Sequence, residues 1–145
     1  MNYETRDSFG MYKSLQPSAP HNSNETGPGP SLMGAETLIG NDVYNKQAEK
    51  LGDIKEIMLD MRHGRVSYAV LEFGGFLGMG TSLFAVPWNA LTLDTTKKCF
   101  VLDASKDRLK QAPGFEKDQW PDMADPIWEK SIHDYYGTTP HSTYV

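Results

Sequence analysis

Residues 51–88, LGDIKEIMLDMRHGRVSYAVLEFGGFLGMGTSLFAVPW, limit the possible folds more than any other stretch. Two apolar runs, residues 54–61 and 66–73, are separated only by Arg62-His63-Gly64-Arg65. That gap allows a tight reversal and little else, so the runs read as a hairpin. Alternation slips between Lys55 and Ile57, which predicts a bulge or bend of the kind barrels use to close. In the second run Val66, Tyr68 and Val70 are expected on one face, and Ala69, Leu71 and Phe73 on the other. Both sets are largely apolar, so this strand should be covered on both sides. The loop Gly74-Gly75-Phe76-Leu77-Gly78-Met79-Gly80 leads into a third run, residues 83–88.

The flanking sequence completes a β pattern. Thr37-Leu38-Ile39-Gly40 and Val43-Tyr44 read as a short strand and turn, and residues 46–50 as a polar turn. After Pro87-Trp88 comes a short turn of 3₁₀ type, and residues 91–93 pair with 98–102 across Asp94-Thr95-Thr96-Lys97. About six short strands with no amphipathic helix between them argue for a small antiparallel barrel or a strongly coiled sheet. Asp103-Ala104-Ser105 offers cap chemistry for a short helix over 106–111, stopped by Pro113-Gly114. Asp125 at a cap and Pro126 at the first helical position open a second helix. Its Trp128, Ile132 and Tyr135 form one apolar stripe, to be buried on the barrel or on a second subunit. Trp120-Pro121 is expected to anchor the irregular stretch between the helices, and residues 137–145 to fray. Residues 16–34 hold Pro17, Pro20, Pro28 and Pro30 with Glu25 as the single charge. Such a composition reads as a flexible linker. The chain therefore divides into a flexible N-terminal arm (1–35), a β domain (36–103) and a helical extension (104–145).

Charge and cysteine content narrow the function. The net charge is −5, with seven acids and seven bases in residues 37–102. No segment carries the basic excess that neutralising phosphates requires, so nucleic acid is not an expected partner. The charge-free residues 73–93 are long enough to cross a bilayer, but four glycines and a proline suit a strand–loop–strand unit instead. The N-terminus lacks the apolar core of a secretory signal. A soluble, cytoplasmic protein is expected. Cys99, the only cysteine, excludes an internal disulfide and reads as a small buried hydrophobe in a strand.

Motifs for chemistry are weak. Gly78-Met79-Gly80 resembles part of a dinucleotide fingerprint, but Leu83 stands at the third glycine position and a strand follows where a helix is needed. His21, His63, His133 and His141 have no ligand-spaced partner, so no zinc site is expected. Glu129 and His133 share a helix face, as do Lys130 and Asp134, which reads as a solvated charged surface. Asp53, Glu56 and Asp60 fall on one strand, where edge protection is a simpler use than proton transfer or cation binding. Ser82 lacks the context of a hydrolase nucleophile. No nucleophile, base and orienting group converge, so neither catalysis nor a cofactor is expected.

Leu51-Gly52-Asp53-Ile54, Asp60, Gly64-Arg65-Val66-Ser67-Tyr68-Ala69-Val70, Phe73-Gly74-Gly75-Phe76-Leu77-Gly78 and Phe84-Ala85-Val86-Pro87-Trp88 resemble the PRC-barrel family. The match covers about residues 36–103. Residues 112–123 and Tyr135-Tyr136-Gly137 resemble the tail of stand-alone bacterial members. The resemblance implies a six-stranded, mainly antiparallel barrel used as a non-catalytic adaptor, with short C-terminal helices beside it. In the photosynthetic reaction centre H subunit, a domain of this type caps the membrane subunits and borders the quinone proton path. In a ribosome-maturation factor, a similar barrel contacts a small-subunit protein. This chain shows neither the former's N-terminal membrane helix nor the latter's additional domain. The expectation is a protein-interaction module, homodimeric, with an unknown protein partner and contact residues Phe76, Leu77, Met79, Trp88 and Trp128. The alternatives are a small-ligand or quinone-associated protein using Tyr68, Phe73 and Trp88, and a ribosome or RNA-maturation adaptor.

Overall fold

The computed structural model describes residues 32–73 and 82–140. A one-turn helix α1 (Ala35–Leu38) precedes strands β1 (Asp42–Tyr44), β2 (Lys50–Asp60), β3 (Arg65–Phe73) and β4 (Ser82–Pro87). A 3₁₀ turn (Trp88–Ala90) leads to β5 (Leu91–Asp94) and β6 (Cys99–Leu102), followed by helices α2 (Lys106–Lys110) and α3 (Pro126–Tyr136). The strands form one six-stranded sheet in the order β4-β3-β2-β1-β6-β5.

Connectivity forces this sheet to curl. β4 and β5 are its two outermost strands, yet only the Trp88–Ala90 turn separates them. A flat sheet would hold them about 24 Å apart, at ~4.8 Å per strand gap. The four Cα steps from Pro87 to Leu91 reach at most about 14 Å. The result is a half-barrel whose concave side is filled by Leu51, Ile54, Ile57, Ala69, Leu71, Phe84, Val86, Leu91 and Phe100, all buried.

The same turn explains why the sheet is mainly, and not purely, antiparallel. It carries the chain onward instead of reversing it, so β5 keeps the sense of β4. The β5–β6 hairpin then reverses, and β6 meets β1 in parallel, with Val43 opposite Phe100 and Tyr44 opposite Val101. All the other strand pairs are antiparallel.

The slip expected near Lys55 is present. The β2–β3 register jumps between Ile54 and Glu56, leaving Lys55 outside the ladder. A second irregularity, opposite Val43/Tyr44, leaves Leu51 unpaired with β1. With both bulges, Leu51, Ile54 and Ile57 all reach the core, a spacing of three that a regular strand cannot give. The Thr37–Ile39 segment is not a strand. Thr37 and Leu38 are adjacent and both buried, and α1 turns them inward together.

The helical extension packs on the sheet. Ser105 Oγ caps α2 by accepting from the Arg108 N–H at 3.0 Å, and Asp125 Oδ1 caps α3 by accepting from the Ile127 N–H at 3.0 Å. Leu83 and Phe115 exchange both backbone hydrogen bonds, which covers part of the outer edge of β4. Ile132 is buried against Tyr68 and Ala85 on the convex face, a burial worth about 2 kcal/mol. Trp128 and Tyr136 extend that contact. Tyr135 turns to α2 instead: its hydroxyl donates to the Arg108 carbonyl, and the Arg108 guanidinium donates to the Tyr135 carbonyl. Trp120 stacks on Phe115 at 5.1 Å and donates Nε1–H to the Lys117 carbonyl, although it remains 41% exposed.

Fraying does not begin at Gly137. This residue is left-handed, with φ 71°, its N–H reaches the Asp134 carbonyl, and the Thr138 N–H reaches that of His133 at 2.9 Å. The pair of bonds is a Schellman closure. The fraying expected for 141–145 lies outside the described residues.

Candidate functional site

A groove of about 400 Å³ runs between the tip of the β2–β3 hairpin and the start of α3. Its sheet wall is made by a third bulge. Met58 pairs with Tyr68 and Leu59 with Val66, so Ser67 has no partner across the ladder. An extra residue reverses the inside–outside alternation beyond it. Val66 therefore packs on the same core as Ala69, not beside Tyr68 as strict alternation predicts. Arg65, Ser67 and Tyr68 all line the groove.

The facing wall is Met123 and Ala124 with Glu129 and His133 from α3. Tyr68 is clasped at its ring by Trp128, edge-on at 5.2 Å, and by His133 at 5.6 Å. His133 is 3% exposed, with Nδ1 2.6 Å from Thr138 Oγ1. It is thus a buried group, not part of a solvated face. Lys130 and Asp134 do form the expected exposed pair at 2.7 Å.

Charge at the hairpin tip is organised around Asp60. Its Oδ1 accepts from the Arg62 N–H at 2.9 Å, and its Oδ2 lies 2.8 Å from His63 Nδ1. The His63 hydrogen bond, then those from Arg62, hold the carboxyl well below the usual carboxylate range. A lowered folded-state value means the unfolded chain takes up the proton first as pH falls. Stability from this group is therefore present above about pH 4 and lost below it. Urea midpoints should accordingly fall less between about pH 5 and pH 3 in Asp60→Asn than in the wild type. Equal falls in both would contradict the linkage.

Two donors in the groove lack hydrogen-bond partners among the described residues. The Tyr68 hydroxyl is buried and unpaired, and so is Arg65 Nε. The latter lies 3.9 Å from Asp60 Oδ2, close enough for attraction but beyond a hydrogen bond. Burial, then the Glu129 carboxylate, push the Tyr68 phenol well above its ordinary value, so it stays a donor.

Of the residues expected to make contacts, Phe76, Leu77 and Met79 lie outside the described residues. Trp88 is half-buried, its ring 5.7 Å from Phe100, and Trp128 is half-buried on Tyr68. Tyr68, Phe73 and Trp88 do not converge: Phe73 and Trp88 belong to the concave core and Tyr68 to the convex cluster. Asp53 guards no edge, since β2 is paired there with both β1 and β3, whereas β1 does not reach as far as Glu56. Asp53 pairs with Lys50 at 3.3 Å, and Glu56 Oε1 accepts from the Ile57 N–H. Cys99 is buried at the start of β6, and burial raises its thiol. Among the described residues no three His, Cys, Asp or Glu side chains gather as a metal site would need. The exposed apolar side chains sequence reasoning passed over include Leu59 (56%), Met61 (85%) and Ile127 (81%), besides Leu32 at the start of the described residues. For the first two, apolar residues beside a charged turn at a hairpin tip were the available signal.

The fold is that of a small half-barrel domain with a helix laid across its convex face. The family comparison is specific: the chain belongs to the PRC-barrel domain family, whose sequence model matches residues 30–109, more than half the chain. No curated protein matches the chain. Among the described residues no helix is long and apolar enough to cross a membrane.

Proposed function

We propose that this PRC-barrel domain is a non-catalytic protein-interaction module that docks through the tip of its β2–β3 hairpin, with a second copy of the chain as first partner. The observation that carries the reading is the exposure of Leu59 and Met61 at that tip. They stand beside Arg62, His63 and Arg65 on the groove. Large apolar side chains left in water next to cations suit a contact whose centre is apolar and whose rim is polar.

Size-exclusion chromatography with light scattering tests it. The wild type should run at twice the chain mass, and Leu59→Asp or Met61→Asp should run at the chain mass. A concentration-independent wild-type monomer removes the homodimer. Quantitative capture with wild type and Met61→Asp as baits then decides for another partner. If no protein is bound in stoichiometric amount by the wild type and lost with the variant, the interaction reading fails.

A further inference from the structure

We infer that the groove between the β2–β3 hairpin and α3 is also a binding site for a small carboxylate with an apolar body, its oxygens taken by the Tyr68 hydroxyl and Arg65 Nε. This goes beyond protein docking, since a small molecule can occupy the groove whether or not a partner covers the tip.

A buried donor without an acceptor has lost its water and gained nothing in return. Tyr68 is 3% exposed, Arg65 Nε has no hydrogen bond and lies 3.9 Å from Asp60 Oδ2, and both residues line one groove. Both atoms carry a hydrogen to donate: the phenol stays protonated, and the guanidinium Nε can only donate. What satisfies them is an acceptor of two hydrogen bonds beside a cation, which describes a carboxylate.

The rest of the lining selects the body. Met58, Leu59, Met61 and Met123 surround the charged groups. Thioether side chains are flexible, fill irregular gaps and favour aromatic edges. The orphan atoms are shielded from bulk water, and rotation of Met58 and Met123 is the low-cost route to them. About 400 Å³ falls in the range of small-molecule sites. The carboxylates already present do not satisfy these donors: Asp60 is engaged by Arg62 and His63, and the Tyr68 hydroxyl has no hydrogen-bond partner among the described residues.

The test uses the full chain with methyl-labelled methionines and benzoate as the probe, with benzamide and inorganic phosphate as controls. Benzoate should shift the Met58 and Met123 methyl signals saturably at about millimolar concentration. Benzamide and phosphate should each bind about tenfold more weakly or less, as should benzoate to Tyr68→Phe and to Arg65→Gln. Tyr68→Phe keeps the ring and removes the orphan hydroxyl, so it should melt no lower than the wild type while losing the benzoate response. No saturable shift would overturn the proposal. So would equal binding of benzamide or phosphate, or an unchanged response in Tyr68→Phe. The oligomeric state of Met61→Asp reads the docking proposal separately.

Discussion

Phe100→Ala is expected to lower the unfolding free energy by about 3–5 kcal/mol. Phe100 is fully buried in β6 at the junction that makes the sheet a half-barrel. It stands opposite Val43 of β1 in the parallel pair and opposite Leu93 of β5 in the hairpin. Backbone ladders hold both neighbours in place, so the space left by the ring cannot close by local collapse. The cost then includes the cavity as well as the lost transfer energy. Trp88 lies 5.7 Å away at the turn joining the sheet's two edges. It is half-buried, so Trp88→Ala should cost less, about 2 kcal/mol. A double-mutant cycle should return a coupling of about 0.5–1.5 kcal/mol for the ring pair. Urea unfolding with an unchanged m-value measures all three. A Phe100→Ala loss under about 1 kcal/mol would mean that the junction is loosely packed.

Strands were legible because apolar runs of strand length, broken by turn residues, leave few other options. The Lys55 bulge was legible as well, since Lys55-Glu56-Ile57 breaks the alternation in the letters themselves. The Ser67 bulge was not. Val66-Ser67-Tyr68-Ala69-Val70 alternates plausibly in either register, and only pairing with Leu59 and Met58 decides which side chain turns outward. The parallel β1–β6 pair was hidden for a related reason, since it follows from the direction in which the chain leaves Trp88–Ala90. His133 reads as solvated from its spacing to Glu129. Its burial comes from packing on Tyr68 and from Thr138 beyond the helix end. The groove joins residues 58–68 to residues 123–133, and no periodicity in either segment announces the other.

Gly52→Ala is expected to destabilise the domain by about 3 kcal/mol, although it adds a single methyl group. Gly52 sits in β2 between the two bulges with φ 156°, opposite Val43. A Cβ built there would lie 2.4 Å from the Glu72 carbonyl oxygen and 3.5 Å from the Phe73 Cα. Those are backbone atoms of β3, which is held between β2 and β4. No rotamer change relieves the clash, so β2 and β3 must separate where Asp53 pairs with Glu72. Gly64, at the hairpin turn, is the internal control. Its φ is 65°, but a Cβ there would meet nothing within 4 Å. Gly64→Ala should therefore cost only the conformational penalty, about 1 kcal/mol. Urea denaturation of both variants separates steric from conformational demand. If Gly52→Ala lost no more than Gly64→Ala, the close approach of the two strands would not be what requires glycine at position 52.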